Sequence, residues 1–509
     1  MQLFLQRFNY LFQSTKGLVL VAISLVSMVT ALFGMLSGPM VEWGIRDFVV
    51  DLFNMKLLAE EREGRIIMLY HTIAMSVLAI EVYFITSIVP MKKHQQSTIN
   101  ATITFGYIIA LLFGLKFAYF GHDFVYHGLF LLGQSLVFFA GLLLAAALWP
   151  WNKETYVTNK DYAHTRRGID LERMAFFVMA VATLGSAIFG AVTASYWGNG
   201  HETFLAEDLI REPHKNPLQL AVIGHLHIML TLIAIAITLI VGRWLDFKGM
   251  FHKISMRLMI AGTVVITLGV WAVVPYQPIA HKIIYVGSVL VMLAAFFLVV
   301  FGWRKLIHDR LQELGIEKGG FWKSLRALLH DPLKFGPLWQ MVFMNFTVSG
   351  VGIFMAINLD KIFRVWPARE ERITLTGHWH ILSAIIATII ILYYADICGL
   401  KGRVRQWFGW LVIICSDLAF AAVTVFSMKR LFVQEIHQAA VVNWTMLLAD
   451  FGLAMVLLIM ALLLLWRLFD LFKGSGLWKK EFDNPELEVE KTADVSPYPH
   501  IPQQGGPKS

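Results

Sequence analysis

The hydrophobic positions of this chain form long uninterrupted runs separated by short polar loops. About 20 apolar residues in a helix cross a hydrocarbon core of about 30 Å. Backbone groups in lipid must be hydrogen-bonded within the segment, so each run is predicted to be a helix. The pattern predicts twelve spans, near 17–40, 66–90, 101–120, 128–149, 174–196, 218–242, 258–274, 283–302, 337–357, 374–395, 407–428 and 441–466.

A short polar motif recurs inside three of these runs. It reads Gly-His-Trp-His at 377–380, Gly-His-Leu-His at 224–227 and Tyr-His-Thr at 70–72. From His71 to His225 is 154 residues, and from His225 to His378 is 153. Regular spacing of this kind indicates an internal repeat. We therefore predict an all-α integral membrane protein whose twelve helices form three pseudo-repeated groups of four.

The predicted membrane domain covers residues 1–473 and divides into repeats at about 1–150, 151–303 and 304–473. The polar, proline-containing segment 474–509 is predicted to be a disordered cytoplasmic tail. The basic stretch 303–336, between spans eight and nine, is predicted to lie on the membrane surface.

Composition supports the membrane assignment and excludes other classes of protein. Hydrophobic residues make up 57% of the chain and charged residues only 15%, whereas soluble proteins carry roughly 25% charged residues. The net charge of +8 is spread along the chain, so no nucleic-acid partner is predicted. The two cysteines are too few for a disulfide framework, and no Cys-x-x-Cys-His motif for covalent haem attachment is present.

Basic residues concentrate in the loops that follow even-numbered spans, as with Lys92 and Lys93, Arg166 and Arg167, and a dense set between 304 and 334. Cytoplasmic loops are the basic ones, so both termini are predicted to be cytoplasmic in a bacterial-type inner membrane. At 1.5 Å per residue, the motif histidines then lie roughly 9–12 Å below the outer boundary.

Five histidines at one depth in a membrane indicate function, because polar groups in lipid are costly. They are His71, His225, His227, His378 and His380. Residues two apart in a helix point about 200° apart, so His378 and His380 serve sites on opposite flanks. That arrangement suits two haems, each taking one imidazole in an apolar slot. Zinc or copper would require several histidines to converge.

The span layout, with His71 on span 2 and His378-x-His380 on span 10, resembles the catalytic subunit of the haem–copper oxidase superfamily. The run from His71-Thr72 to Val89-Pro90 is most similar to the nitric oxide reductase branch. The resemblance implies that His71 and His380 are axial ligands of a low-spin haem and that His378 is the proximal ligand of a second haem. It also implies that Lys429 and Arg430 lie near the haem propionates.

The chain departs from the family at spans 6 and 7. Span 7, at 258–274, contains no histidine, where the family has two adjacent ones, and span 6 has two instead of one. A copper or non-haem iron centre of the usual kind is therefore not expected. If the pairing of span 2 with span 10 is repeated for the other two pairs of spans, His378 pairs with His227, and His225 pairs with position 73, which is Ile73. A third site would therefore lack one protein ligand.

We accordingly expect two b-type haems, with His225 left as a distal residue, a ligand of a third haem or a residual metal ligand. The expected function is electron transfer in a respiratory complex, with other membrane subunits and a periplasmic cytochrome c or quinol as partners. The alternatives are a divergent terminal oxidase or nitric oxide reductase-like enzyme, and an ion transporter without haem. Glu81 and Asp417, also inside spans, are candidates for a proton route.

Overall fold

The computed structural model describes residues 2–36, 39–58, 62–196, 217–317 and 319–473. Within these ranges the regular elements are helices, and the one β-type pairing is an isolated bridge between His164 and Asp170. The predicted tail 474–509 lies outside the described residues.

Among the described residues, twelve helices are long and apolar enough to cross a membrane, which confirms the predicted all-α membrane fold. Their bounds are α1 Thr15–Met35, α2 Arg62–Ile88, α3 Lys93–Phe120, α4 Phe124–Ala147, α5 Leu171–Tyr196, α6 Pro217–Trp244, α7 Gly249–Trp271, α8 Val273–Glu313, α9 Pro332–Phe363, α10 Ala368–Ile397, α11 Gly402–Phe432 and α12 Glu435–Lys473. Short helices lie at Gln2–Gln13, Pro39–Glu42, Ile45–Phe53, Lys153–Thr155 and Phe321–Leu328.

Glycine allows close contact at three helix pairs. An added Cβ at Gly133 of α4 would lie 2.5 Å from the Ala110 nitrogen of α3, and one at Gly287 of α8 would lie 2.6 Å from the Ile266 nitrogen of α7. A Cβ at Gly452 of α12 would lie 2.5 Å from the Cys415 oxygen of α11. Small residues promote helix association in lipid by letting backbones approach. The grouping into three repeats stays a prediction.

The stretch between spans eight and nine differs from the prediction. Residues 303–313 continue α8, and only Phe321–Leu328 forms a separate short helix before α9 begins at Pro332. The extension of α8 contains two ion pairs, Lys305 with Asp309 at 3.0 Å and Arg310 with Glu313 at 2.8 Å. Pairs spaced three or four residues apart support an exposed helix, which explains why the polar sequence does not end α8.

Two helices depart from regular α geometry. α8 is kinked at Tyr276, whose φ and ψ are −145° and 54°, two residues before Pro278. α9 contains two π-helical segments, Phe343–Val348 and Leu359–Phe363. Such segments occur often at functional sites, and the first one flanks the histidine region described below.

Aromatic residues hold α2, α6 and α10 together at the ends remote from the histidines. The Tyr393 ring of α10 lies 4.6 Å from both Phe84 of α2 and Trp244 of α6. The Trp244 indole also donates a hydrogen bond of 2.8 Å to Asp396. These contacts join the three histidine-bearing helices at that end.

Candidate functional site

The five histidines lie at similar depths in α2, α6 and α10. His71, His225 and His378 follow the first residue of their helices by nine, eight and ten positions, which is roughly 12–15 Å at 1.5 Å per residue. The three helices therefore bring their imidazoles to one level.

His71 and His225 form a pair between α2 and α6. Their ring centroids are 6.2 Å apart and their planes are inclined by 19°. Two imidazoles that bind opposite sides of one metal ion, each at about 2 Å, have ring centres roughly 6 Å apart. This pair has the separation that a shared metal requires.

Helix α5 provides a closely fitted seat for His225. The Nδ1 atom of His225 lies 2.9 Å from the Ser186 carbonyl oxygen of α5. A Cβ added to Gly190, also in α5, would lie 2.4 Å from the His225 Cε1 atom. The imidazole thus occupies space that only glycine leaves open, so its orientation is set by α5.

His227 and His378 form a second pair between α6 and α10. Their ring centroids are 6.3 Å apart, with the planes inclined by 39°. The Cδ2 and Nε2 edge of His378 faces Gly352 of α9, where an added Cβ would lie 3.6 Å from Cδ2. Beside it is a cavity with thioether and hydroxyl groups in its wall, lined by Thr347, Val348, Val351, Met355, Thr374, His378, Ile381, Thr424, Ser427 and Met428.

Backbone carbonyls define how the imidazoles are protonated. Nδ1 of His71 lies 2.8 Å from the Ile67 oxygen, and Nδ1 of His227 lies 2.8 Å from the Ile223 oxygen. A carbonyl only accepts, so Nδ1 carries the proton and Nε2 keeps its lone pair. Metal-binding histidines are commonly oriented in this way.

His227 and His380 also have side-chain hydrogen bonds at Nε2. The Trp379 indole donates to His227 Nε2 at 3.2 Å, and the Tyr70 hydroxyl lies 3.1 Å from His380 Nε2. An indole N–H is a donor only, which independently places a lone pair on His227 Nε2. The same bonds satisfy these two Nε2 atoms in the absence of a ligand.

The basic pair Lys429 and Arg430 ends α11. The Lys429 ammonium forms an ion pair with Glu370, in the first turn of α10, and lies over the Phe426 ring at 5.0 Å. Arg430 is half-buried, and its Nε atom has no hydrogen-bond partner in the part of the chain that the structure describes. An unpaired guanidinium nitrogen is suited to an anionic group, as the propionate contact implied by the family resemblance would require.

The two proton-route candidates have different surroundings. Glu81 is 3% exposed, and its Oε1 has no hydrogen-bond partner among the described residues. Asp417 accepts hydrogen bonds from the Trp339 indole at 2.8 Å and the Gln340 amide at 2.7 Å. Asp417 therefore has a packing role that Glu81 lacks.

The donor set fits haem. The described ranges contain no group of three or more His, Cys, Asp or Glu side chains placed to hold a metal ion. They do contain two facing imidazole pairs, and the buried Nδ1 of His378 has no hydrogen-bond partner within those ranges. Two axial nitrogens are the ligand set of a six-coordinate haem iron, whose other four ligands come from the porphyrin.

Helix α7 begins at Gly249, earlier than predicted, and so includes His252. This histidine is fully buried, and its Nδ1 accepts a hydrogen bond of 3.0 Å from the Ala163 backbone in the α4–α5 connection. His252 lies near the N-terminal end of α7, whereas His225 and His227 lie at the level of the other end of α7. The prediction of a helix without histidine was wrong in its bounds, and His252 joins neither imidazole pair.

Sequence reasoning missed three contributors to the site: Tyr70, Gly190 and Trp379. Tyr70 and Trp379 are adjacent in sequence to motif histidines, and that position was the available signal for a role in the site. Their contacts could not be predicted, because they depend on how the helices are rotated. No model of a known protein family matches this sequence, and no curated protein sequence gives a significant match.

Proposed function

We propose that this chain is a membrane haem protein that transfers electrons, with two b-type haems held by histidines of α2, α6 and α10. The observation that supports this most is the spacing of the two imidazole pairs, 6.2 and 6.3 Å between ring centroids. Bound haem would supply an iron that gains and loses one electron.

The contacts favour a specific set of ligand pairs. His71 with His225 would hold one haem, and His227 with His378 the other. The family resemblance instead pairs His71 with His380. Under either assignment the protein orients His71, His225 and His227 through Nδ1, excludes water with apolar helices and offers Arg430 to an anionic substituent.

Electrons would enter or leave at the membrane face closer to the histidines, by exchange with a cytochrome c or with quinol in the bilayer. In the orientation predicted from basic residues, this face is periplasmic. Other membrane subunits would complete the respiratory complex.

The cavity beside His378 supports a second candidate, a divergent gas-reducing enzyme in the manner of a terminal oxidase or nitric oxide reductase. A small cavity next to an imidazole that binds iron would give a gas access to an open coordination position. Carbon monoxide binding by the reduced protein distinguishes this candidate from a six-coordinate electron carrier.

The test is a pyridine haemochrome count on the purified protein, with reduced spectra before and after carbon monoxide. We expect at least two b-type haems per chain and no carbon monoxide shift. A shift on one haem would support gas chemistry at His378. Absence of haem from protein expressed with a haem supply would refute the proposal and leave the ion-transporter alternative.

Alanine variants then identify the ligands. We expect His71→Ala and His225→Ala each to lose the same single haem per chain, and His227→Ala and His378→Ala each to lose a second one. Loss of the same haem from His71→Ala and His380→Ala would establish the family pairing instead. His437→Ala is the matched control, because His437 is exposed at the start of α12.

A further inference from the structure

The three histidine-bearing helices each present ring side chains to both neighbours. α2 presents His71 to α6, α6 presents His227 to α10, and α10 presents His380 to α2. The ring that receives His380 belongs to Tyr70. One ring pair therefore lies between each two of the three helices, and a tyrosine completes the third pair.

The third pair has nearly the same spacing as the other two. The Tyr70 and His380 ring centroids are 6.2 Å apart, with planes inclined by 47°, and the phenol oxygen is 3.1 Å from His380 Nε2. A phenol oxygen and an imidazole nitrogen on opposite sides of one metal ion are about 4 Å apart, since each bond is about 2 Å. Separating the two atoms by roughly 1 Å would make room for the ion.

The surroundings of the third pair allow that movement. Tyr70 is 44% exposed and His380 is also exposed, whereas each of the other two pairs contains at least one half-buried histidine. Exposed side chains can change rotamer without disturbing a packed core. The third pair is thus the one most open to an added ligand.

We propose that Tyr70 and His380 form a third iron site, in which haem is bound between a phenolate oxygen and an imidazole nitrogen. This inference rests on the proposed function, since it extends haem binding to a third helix pair. Tyrosine is an established axial ligand of haem iron. Its anionic oxygen stabilises the ferric state relative to the ferrous state, so this haem would be reduced less readily than the two bis-histidine haems.

Ligand binding at Tyr70 is a substitution without electron transfer. The phenol O–H bond breaks and an oxygen–iron bond forms to ferric haem. The phenol proton passes to water, and a water molecule leaves the iron. The hydrogen bond between Tyr70 and His380 is lost in the same step.

The experiment measures haem and iron per chain, with ferric and reduced spectra, in the full-length protein and in Tyr70→Phe and Tyr70→His. We expect three haems in the unmodified chain. Tyr70→Phe should abolish the ferric tyrosinate signal and create one haem that binds carbon monoxide when reduced. Tyr70→His should retain three haems and convert that signal into a low-spin bis-histidine spectrum.

Tyr126→Phe is the control, because it makes the same chemical change on α4, where the Tyr126 ring contacts Phe113 and lies 5.9 Å from the Lys116 ammonium. It should leave all spectra unchanged. Iron in excess of haem that disappears in Tyr70→Phe would assign the same residues to iron without porphyrin.

The outcomes separate this inference from the proposed function. Two haems per chain whose spectra are identical in Tyr70→Phe would overturn the third site and leave electron transfer intact. A chain without haem would overturn both proposals.

Discussion

His225 shows how single residues determine the geometry of this site. Its imidazole is held by the Ser186 carbonyl and packs where Gly190 has no side chain. Because both contacts come from α5, a helix without any motif histidine, the orientation of His225 depends on a neighbour that the motif does not reveal.

We expect Gly190→Ala to displace the His225 ring, because the new Cβ would lie 2.4 Å from Cε1. Forcing an extra methyl into a packed contact destabilises a protein by about 1–3 kcal/mol. The measurement is the haem content and the midpoint temperature of unfolding. Gly350→Ala, at a position with open space in α9, is the control and should be neutral or stabilising. Full haem content in Gly190→Ala would contradict the seat assigned to His225.

Glu81 is the second residue with a testable role, since it is a buried carboxyl in α2 whose Oε1 has no hydrogen-bond partner in the described ranges. We expect Glu81→Gln to retain or raise the unfolding temperature, because a buried charge without compensation is unfavourable. If Glu81 takes up a proton during reduction, proton uptake measured with a pH indicator should fall in this variant. Glu154→Gln, on an exposed turn, is the control. Unchanged proton uptake would remove Glu81 from the proton route.

At the scale of elements, polar contacts between helices supplement apolar packing. α9 and α11 are joined by two hydrogen bonds from Trp339 and Gln340 to Asp417. Gln340 is fully buried, so its amide has no access to water if Asp417 is removed. A buried donor without a partner costs about 1–3 kcal/mol, which is larger than the net value of an ordinary hydrogen bond.

We therefore expect Asp417→Leu to lower the free energy of unfolding by about 2–4 kcal/mol, because two donors lose their acceptor. Asp417→Asn keeps one acceptor oxygen and should lose about half as much. Thermal unfolding of both variants in detergent provides the comparison. Equal stability of the two variants would show that the contact does not hold α9 to α11, and would return Asp417 to its role as a proton-route candidate.

At the scale of the whole molecule, twelve membrane helices place the two ends of the bundle on the same side if each helix crosses once. The basic loops predict that this side is the cytoplasm. Labelling of introduced cysteines can test this topology. The native Cys398 and Cys415 are only 1% and 7% exposed, so they should react little and give a low background.

We expect Thr158→Cys, in the connection between α4 and α5, to react with a membrane-impermeant maleimide only after cells are permeabilised. Glu42→Cys, on the opposite side, should react in intact cells. Both positions are exposed, so access to the reagent is limited by the membrane alone. The reverse labelling pattern would invert the topology and move the candidate haem level to the cytoplasmic half.

Hydropathy and repeat spacing were sufficient to predict twelve helices and to locate five histidines at one depth. Lipid imposes internal hydrogen bonding and a fixed length on each span, so both features can be predicted from the linear sequence. Helix ends were predicted less well: α8 continues to Glu313 and α7 begins at Gly249, because polar residues and ion pairs can extend a helix beyond the hydrocarbon core.

The pairing of side chains required the tertiary structure. Which imidazoles face each other depends on the rotation of α2, α6 and α10 about their axes, and that rotation is set by distant contacts such as Phe84 and Trp244 with Tyr393. The repeat placed Ile73 opposite His225, whereas the structure places His71 there and brings Tyr70 to His380. Sequence thus determined the number of helices and the depth of the histidines, because the membrane constrains both, while only three-dimensional packing decided which rings share a site.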